Sequence, residues 1–231
     1  MNKMMTELPS HIRELADGEI FHFNCHPGID CFTDCCRELE LALTPYDVLR
    51  LRKELKLSSA EFLEQYCLVE YDEEDLFPRV YLGMVDDGKA SCPFVTGKGC
   101  TVYGGRPGAC RIYPLGRGAS RNLFGQSKII HILLTEPHCH GFSEPDQQTI
   151  QTWTIDQGLE SYNRLNDEMM AILQHVEIKN GMKLSRDQQQ LFLNTLYNLD
   201  GFLEKNPNLE ADDDEALLKH AIHWLKNKLF A

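Results

Sequence analysis

Residues 92–114 read CPFVTGKGCTVYGGRPGACRIYP, and the reading of this stretch decides the fold. Cys92, Cys100 and Cys110 stand in it with gaps of seven and nine residues, among glycines and prolines that break any regular period. Apart from the short segments at its edges, the chain from 96 to 127 reads as irregular backbone. Side-chain packing alone holds such a stretch poorly in a compact domain. Metal ligation is the device that would hold it.

Working outward, the same chemistry recurs on both sides. Upstream, Cys25 is followed by Cys31, Cys35 and Cys36; downstream, Cys139 lies between His138 and His140. All nine cysteines, Cys67 included, precede residue 140. That divides the chain of 231 residues into a cysteine-cluster, metal-binding domain over 1–145 and a cysteine-free extension over 146–231. The expected class is α+β: an irregular, metal-organised cysteine domain with a few short strands and helices, then a mainly α carboxy-terminal extension.

The local patterns fill in this outline. Thr44-Pro45 is an N-cap followed by proline at the first helical position, and Ser58-x-x-Glu61 is a capping box opening a helix through Phe62, Leu63, Tyr66 and Cys67. Val80, Leu82 and Met84 alternate before a turn at Asp86-Asp87-Gly88-Lys89, with a return strand through Cys92 to Val95; Lys128 to Leu134 is a second strand. Three amphipathic helices make the extension. The first carries Trp153 to Val176 and stops at Asn180-Gly181, the second opens with Ser185-x-x-Gln188 and runs to Leu203, and the third starts within Asp212-Asp213-Asp214. The acidic runs Glu70 to Asp75 and Glu210 to Glu215 read as solvated loops and helix starts. His220 and His223 read as a helix face, and Trp153 and Trp224 as core anchors.

Charge and composition exclude several functions. A formal charge of −12 lacks the basic footprint that nucleic acid or an anionic membrane surface requires. No stretch approaches the ~18 apolar residues of a membrane helix, and Met1 to Asp17 holds no signal-like apolar run. The expected location is cytoplasmic, where clustered cysteines are metal or redox groups before they are disulfides. Hydrolase and kinase signatures are absent.

Thiolates are soft ligands that select zinc, cuprous copper or iron–sulfur clusters. Four serve one tetrahedral ion or cubane, so Cys25, Cys31, Cys35, Cys36, Cys92, Cys100, Cys110 and Cys139 would serve two centres, or one with spares. Cys67, on an apolar stripe, reads as packing. From Gly88 through Thr135 there is no Asp or Glu, while Lys89, Lys98, Arg106, Arg111, Arg117, Arg121 and Lys128 are all positive. Such arginines offset the charge of a thiolate centre; alternatively, some hold an anionic substrate or cofactor by forked hydrogen bonds. No Cys pair has the two-residue gap of a zinc ribbon, and no set matches a ferredoxin run.

Cys25-x5-Cys31-x3-Cys35-Cys36, Leu43-Thr44-Pro45-Tyr46-Asp47-Val48, Cys92-Pro93-Phe94, Gly99-Cys100-Thr101-Val102-Tyr103 and Arg106-Pro107-Gly108-Ala109-Cys110-Arg111-Ile112-Tyr113-Pro114 together resemble the YkgJ-type cysteine-cluster family over about residues 23 to 141. The resemblance implies a zinc- or iron-chelating domain with these eight cysteines as metal ligands, and the positive stretch makes Arg106 and Arg111 the expected cofactor-binding residues. The resemblance further implies a [4Fe–4S] cluster foremost, zinc as the alternative, and a protein partner or substrate. Cys139 is followed by His140 rather than the family's proline, and the first gap is long, so His26, His138 or His140 could replace Cys25 or Cys139. A relative with a similar domain methylates flagellin lysine, which allows a lysine N-methylase-like activity. The chain lacks both a Gly-x-Gly-x-x-Gly turn and the radical S-adenosylmethionine cysteine spacing.

Overall fold

The caps read from the sequence start real helices in the computed structural model, which describes residues 9–72, 76–122 and 126–231 and is α+β. Residues 1–8, Glu73, Glu74 and Asp75 of the first acidic run, and residues 123–125 of the glycine-rich stretch lie outside the described residues. The chain runs through β1 (Ile12–Leu15), β2 (Phe21–His22), a 3-10 turn at Asp34–Cys36, α1 (Pro45–Leu55), α2 (Ser59–Tyr66), β3 (Cys67–Glu70) and β4 (Arg79–Leu82). Next come β5 (Val95–Thr96), β6 (Gly99–Cys100), α3 (Gly108–Ile112), β7 (Leu115–Arg121), β8 (Ser127–Leu134) and β9 (Gln147–Gln148). Helices α4 (Ile150–Asp156), α5 (Glu160–Leu173), α6 (Val176–Lys179), α7 (Arg186–Leu196), α8 (Leu199–Lys205) and α9 (Asp214–Leu229) complete it. Thr44, Ser58 and Ser185 each close a capping box, and Asp213 accepts from Ala216 N–H at 2.8 Å.

Four expectations are corrected. First, α2 ends at Tyr66, because Gly83 N–H takes the Tyr66 carbonyl (2.8 Å) and Cys67 turns extended to pair with Leu82. Cys67 is thus a strand residue, not the last of a helical stripe. Second, β4 pairs with β3 rather than with a return strand from Cys92, and the turn at 86–89 is closed by the Val85–Ser91 bridge and by Asp87 Oδ1, which accepts from Lys89 N–H (2.9 Å) and Ser91 N–H (3.3 Å). Third, part of the supposedly irregular stretch is the strand β7, joined to β8 from Leu115–Leu133 to Arg121–Ser127. Its glycines hide the alternation that would have announced it, but a paired ladder satisfies its backbone. Fourth, the first two expected tail helices are cut by local caps. Gly158 (φ +61) separates α4 from α5, the His175 side chain opens α6, and the Asn198 side chain takes Gly201 N–H (3.2 Å) to open α8.

The core lies in two parts. The larger joins Tyr46, Leu49 and Leu51 of α1 and Phe62 of α2 to Leu165 of α5, Leu196 of α7 and Ile222 and Leu225 of α9. Residues on either side of 145 therefore share one core. The smaller gathers Leu15, Phe21, Phe23, Leu115, Leu133, Ile150 and Trp153 around the β1-β8-β7 sheet and the β2-β9 pair. No residue from 24 to 40 is buried. Among the described residues no helix is long and apolar enough to cross a membrane.

Candidate metal centre

That unburied segment carries Cys25, Cys31, Cys35 and Cys36, and backbone bonds bring it to the other thiols. Cys92 N–H donates to Cys36 O (2.8 Å), Asn24 N–H to Gly141 O (3.1 Å), and His140 N–H to Cys31 Sγ (3.2 Å). Cys100 faces Val95 in the β5–β6 hairpin, and Cys110 sits on α3. All nine cysteines are free thiols.

A buried carboxylate places α3. Asp47 Oδ1 accepts from Gly108 N–H (2.7 Å), while Oδ2 accepts from Thr44 N–H and Thr44 Oγ1–H (both 2.8 Å), so the capping box of α1 also anchors the helix of Cys110. Burial pushes the Asp47 carboxyl up, and the Gly108 and Thr44 hydrogen bonds and nearby Arg111 oppose this. Arg111 spends its guanidinium on four carbonyls: Arg106 O, Gln157 O, Tyr103 O and Gly104 O. Its role here is to hold loop 103–111 against α4. Arg106 is different. It bonds Gln157 and stacks on Tyr103 (4.1 Å), yet its buried Nε has no partner, and its charge favours the thiolates of Cys25, Cys100 and Cys110. Arg117 turns away to a two-pronged pair with Asp167 (2.8 and 2.7 Å).

Eight thiols are linked through their neighbours' charges into one chain of influence. Cys25, at the surface but partly desolvated, is pushed up to about 11 by that desolvation and then by Cys35, Cys139 and Cys31. Cys110, at about 12, is raised by burial and then by Cys92, Asp47 and Cys35. Cys92 and Cys139 are raised by burial too, with Cys100 and Cys35 adding to the first and Cys31 and Cys35 to the second. Burial also raises Cys100. Cys35 and Cys36 hydrogen-bond to each other, which lowers the Cys35 thiol to about 7 and raises Cys36. Cys67, by contrast, is raised to about 12 by burial alone and has no thiol among its influences.

Crowded thiols that repel one another as anions are the donor set a soft cation relieves, because metal charge stabilises every thiolate at once. The residues fit a thiolate-bound ion or cluster in that sense. Among the described residues no three His, Cys, Asp or Glu side chains are already set about a point that could hold an ion. The thiols instead satisfy each other and their neighbours. The imidazole of His26 is engaged on both sides, accepting from Gly28 N–H (3.1 Å) and meeting Glu144 (3.2 Å). His138 faces Glu136 at 3.7 Å, and His140 reaches the thiols through its backbone N–H.

Three participants escaped the sequence reading. Asp47 was legible as a cap partner, in Thr44-x-x-Asp47, but not as the anchor of Gly108. Tyr113, whose buried hydroxyl neighbours the Cys139 thiol, and Gln157, which meets both arginines, carry no sequence signal.

A family model matches residues 24–140, that of the CxxCxxCC family, described as "Putative zinc- or iron-chelating domain". No curated protein and no solved structure matches the chain.

Proposed function

Because this chain belongs to the CxxCxxCC family of zinc- or iron-chelating domains, we propose that its eight gathered cysteines hold an iron–sulfur centre with a redox role. The observation that carries the reading is the sorting of the thiols. Four chain segments deliver Cys25, Cys31, Cys35, Cys36, Cys92, Cys100, Cys110 and Cys139 to one neighbourhood, and Cys67 stays out of it. An iron–sulfur cluster supplies one-electron chemistry at a potential set by charge, hydrogen bonds and exposure. The chain's own part is to hold the thiolates, to offset their charge with Arg106, and to leave Cys25 and Cys35 at the surface, where a protein partner could exchange electrons. Clustered free thiols suit a reducing, cytoplasmic setting.

One observation favours a second reading, structural zinc. Since no residue from 24 to 40 is buried, metal rather than packing would hold that segment. Anaerobic purification with iron, acid-labile sulfide and zinc analysis and an absorption spectrum decides between them. Iron with sulfide and visible absorbance that bleaches on reduction is the expected result. Colourless zinc protein overturns the iron–sulfur reading, and folded protein without metal overturns both.

A further inference from the structure

We propose that the eight cysteines form two separate four-thiol metal centres that meet at Cys35–Cys36: Cys25, Cys31, Cys35 and Cys139 in one, Cys36, Cys92, Cys100 and Cys110 in the other. This rests on the metal-binding reading above and adds the number and membership of the sites.

Backbone ties and packing argue for this division, and the mutual influence of the thiols accompanies them. The backbone ties fall into two sets. Asn24–Gly141 and His140–Cys31 bring the chain around Cys25 and Cys31 to Cys139. Cys92–Cys36, the Val95–Cys100 ladder and Thr101–Phe94 (2.8 Å) assemble Cys36, Cys92 and Cys100. Packing divides the same way, since Cys139 lies against the small core while Cys92, Cys100 and Cys110 lie against the large one. The thiol neighbourhoods agree. Cys25 feels the charge of Cys35, Cys139 and Cys31, whereas Cys36 feels that of Cys35, Cys92 and Cys110, and Cys92 that of Cys100 and Cys35. Cys35 touches both neighbourhoods, as a residue at the seam must.

Four thiolates complete a tetrahedral ion or a cubane, so each set is a full complement with none left over. Neighbouring Cys35 and Cys36 hydrogen-bond to each other; on loading, both thiol protons leave and that bond is replaced by one metal–thiolate bond to each, Cys35 in one set and Cys36 in the other. A divalent ion entering either set displaces the thiol protons and leaves a site of roughly −2. Two adjoining sites of that charge need a cation between them. Arg106 supplies that cation: its charge favours the thiolates of Cys25 in one set and of Cys100 and Cys110 in the other, and its buried Nε–H is unspent.

The test is a Co²⁺ titration of the full, reduced, metal-free chain under anaerobic conditions, followed by thiolate-to-cobalt absorption and native mass spectrometry. Two equivalents are expected in the parent chain and in Cys67→Ser, and one in Cys139→Ser and in Cys100→Ser. Cys25→Ser and Cys36→Ser, in the unburied segment, repeat the comparison should either of those variants fail to fold. A single tetrathiolate equivalent in the parent overturns the two-centre proposal but leaves metal binding standing. Two equivalents lost together from folded variants of both sets overturn it as well. A chain that takes up no cobalt overturns the metal reading itself, and the partition with it.

Discussion

The Asp47 carboxylate does two jobs with three hydrogen bonds, capping α1 and holding the first amide of α3. Removing it strands buried donors, and a buried donor left without its partner costs about 1–3 kcal/mol. Asp47→Ala should therefore lower unfolding stability by about 2–3 kcal/mol in denaturant titrations of the metal-free chain. Asp47→Asn, which keeps an acceptor oxygen, should lose less. Equal losses in the two variants would mean that the charge, and not the hydrogen bonding, is what α3 needs. At this scale the arginines of the positive stretch also separate: Arg117 belongs to Asp167 and Arg111 to loop carbonyls, while Arg106 faces the thiols.

Elements bring the thiols together through close backbone approach. Gly141 lies so near the segment before Cys25 that a Cβ there would stand 2.7 Å from Asn24 O and 2.7 Å from the Phe23 ring. A backbone oxygen gives way less readily than a side-chain tip, so Gly141→Ala should cost about 1–3 kcal/mol, as overpacking does. It should also push the 23–25 segment off the turn at His140–Ser143, parting Cys25 from Cys139. Metal content of the variant, read by mass spectrometry, should fall relative to the parent. Unchanged metal content would show that Cys25 and Cys139 do not share a site. The cut helices of the extension follow the same logic, since a side chain such as Asn198 that caps locally competes with continuing the helix.

For the whole molecule, the raised thiols make stability depend on pH. Cys25 is raised to about 11, and Cys67 and Cys110 to about 12, from 9.0, chiefly by burial, so the folded metal-free chain holds these protons more tightly than the unfolded one. Their contribution is complete below pH 9.0 and is lost as pH rises through 11 to 12. Tyr46, raised to about 12 by burial and its bond to Glu215, acts in the same direction. Melting of the chelator-treated protein should move to lower temperature as the buffer is taken from pH 8 to pH 10.5. The metal-loaded protein, its thiols already ionised, should melt at a steadier temperature over that range. A metal-free chain that gains stability with alkali would show that the fold does not hold these protons more tightly than the unfolded chain.

The α+β class, the helix starts at Thr44, Ser58, Ser185 and Asp213 and the strand of β8 were legible in the residues alone. These are local signals: a cap is satisfied within four residues, and a short apolar run such as Lys128 to Leu134 marks a strand. Tertiary structure alone decided the rest. Cys67 became a strand residue because its partner Leu82 lies elsewhere in the chain, and β7 became a strand because β8 offered it a ladder. The core came to span both sides of residue 145 because the apolar faces of α1 and α2 needed those of α5, α7 and α9 to cover them. The grouping of the thiols, and the reach of Arg106 to Cys25, Cys100 and Cys110 while Arg111 acts on Cys100, depend on distances between segments that sequence spacing does not encode.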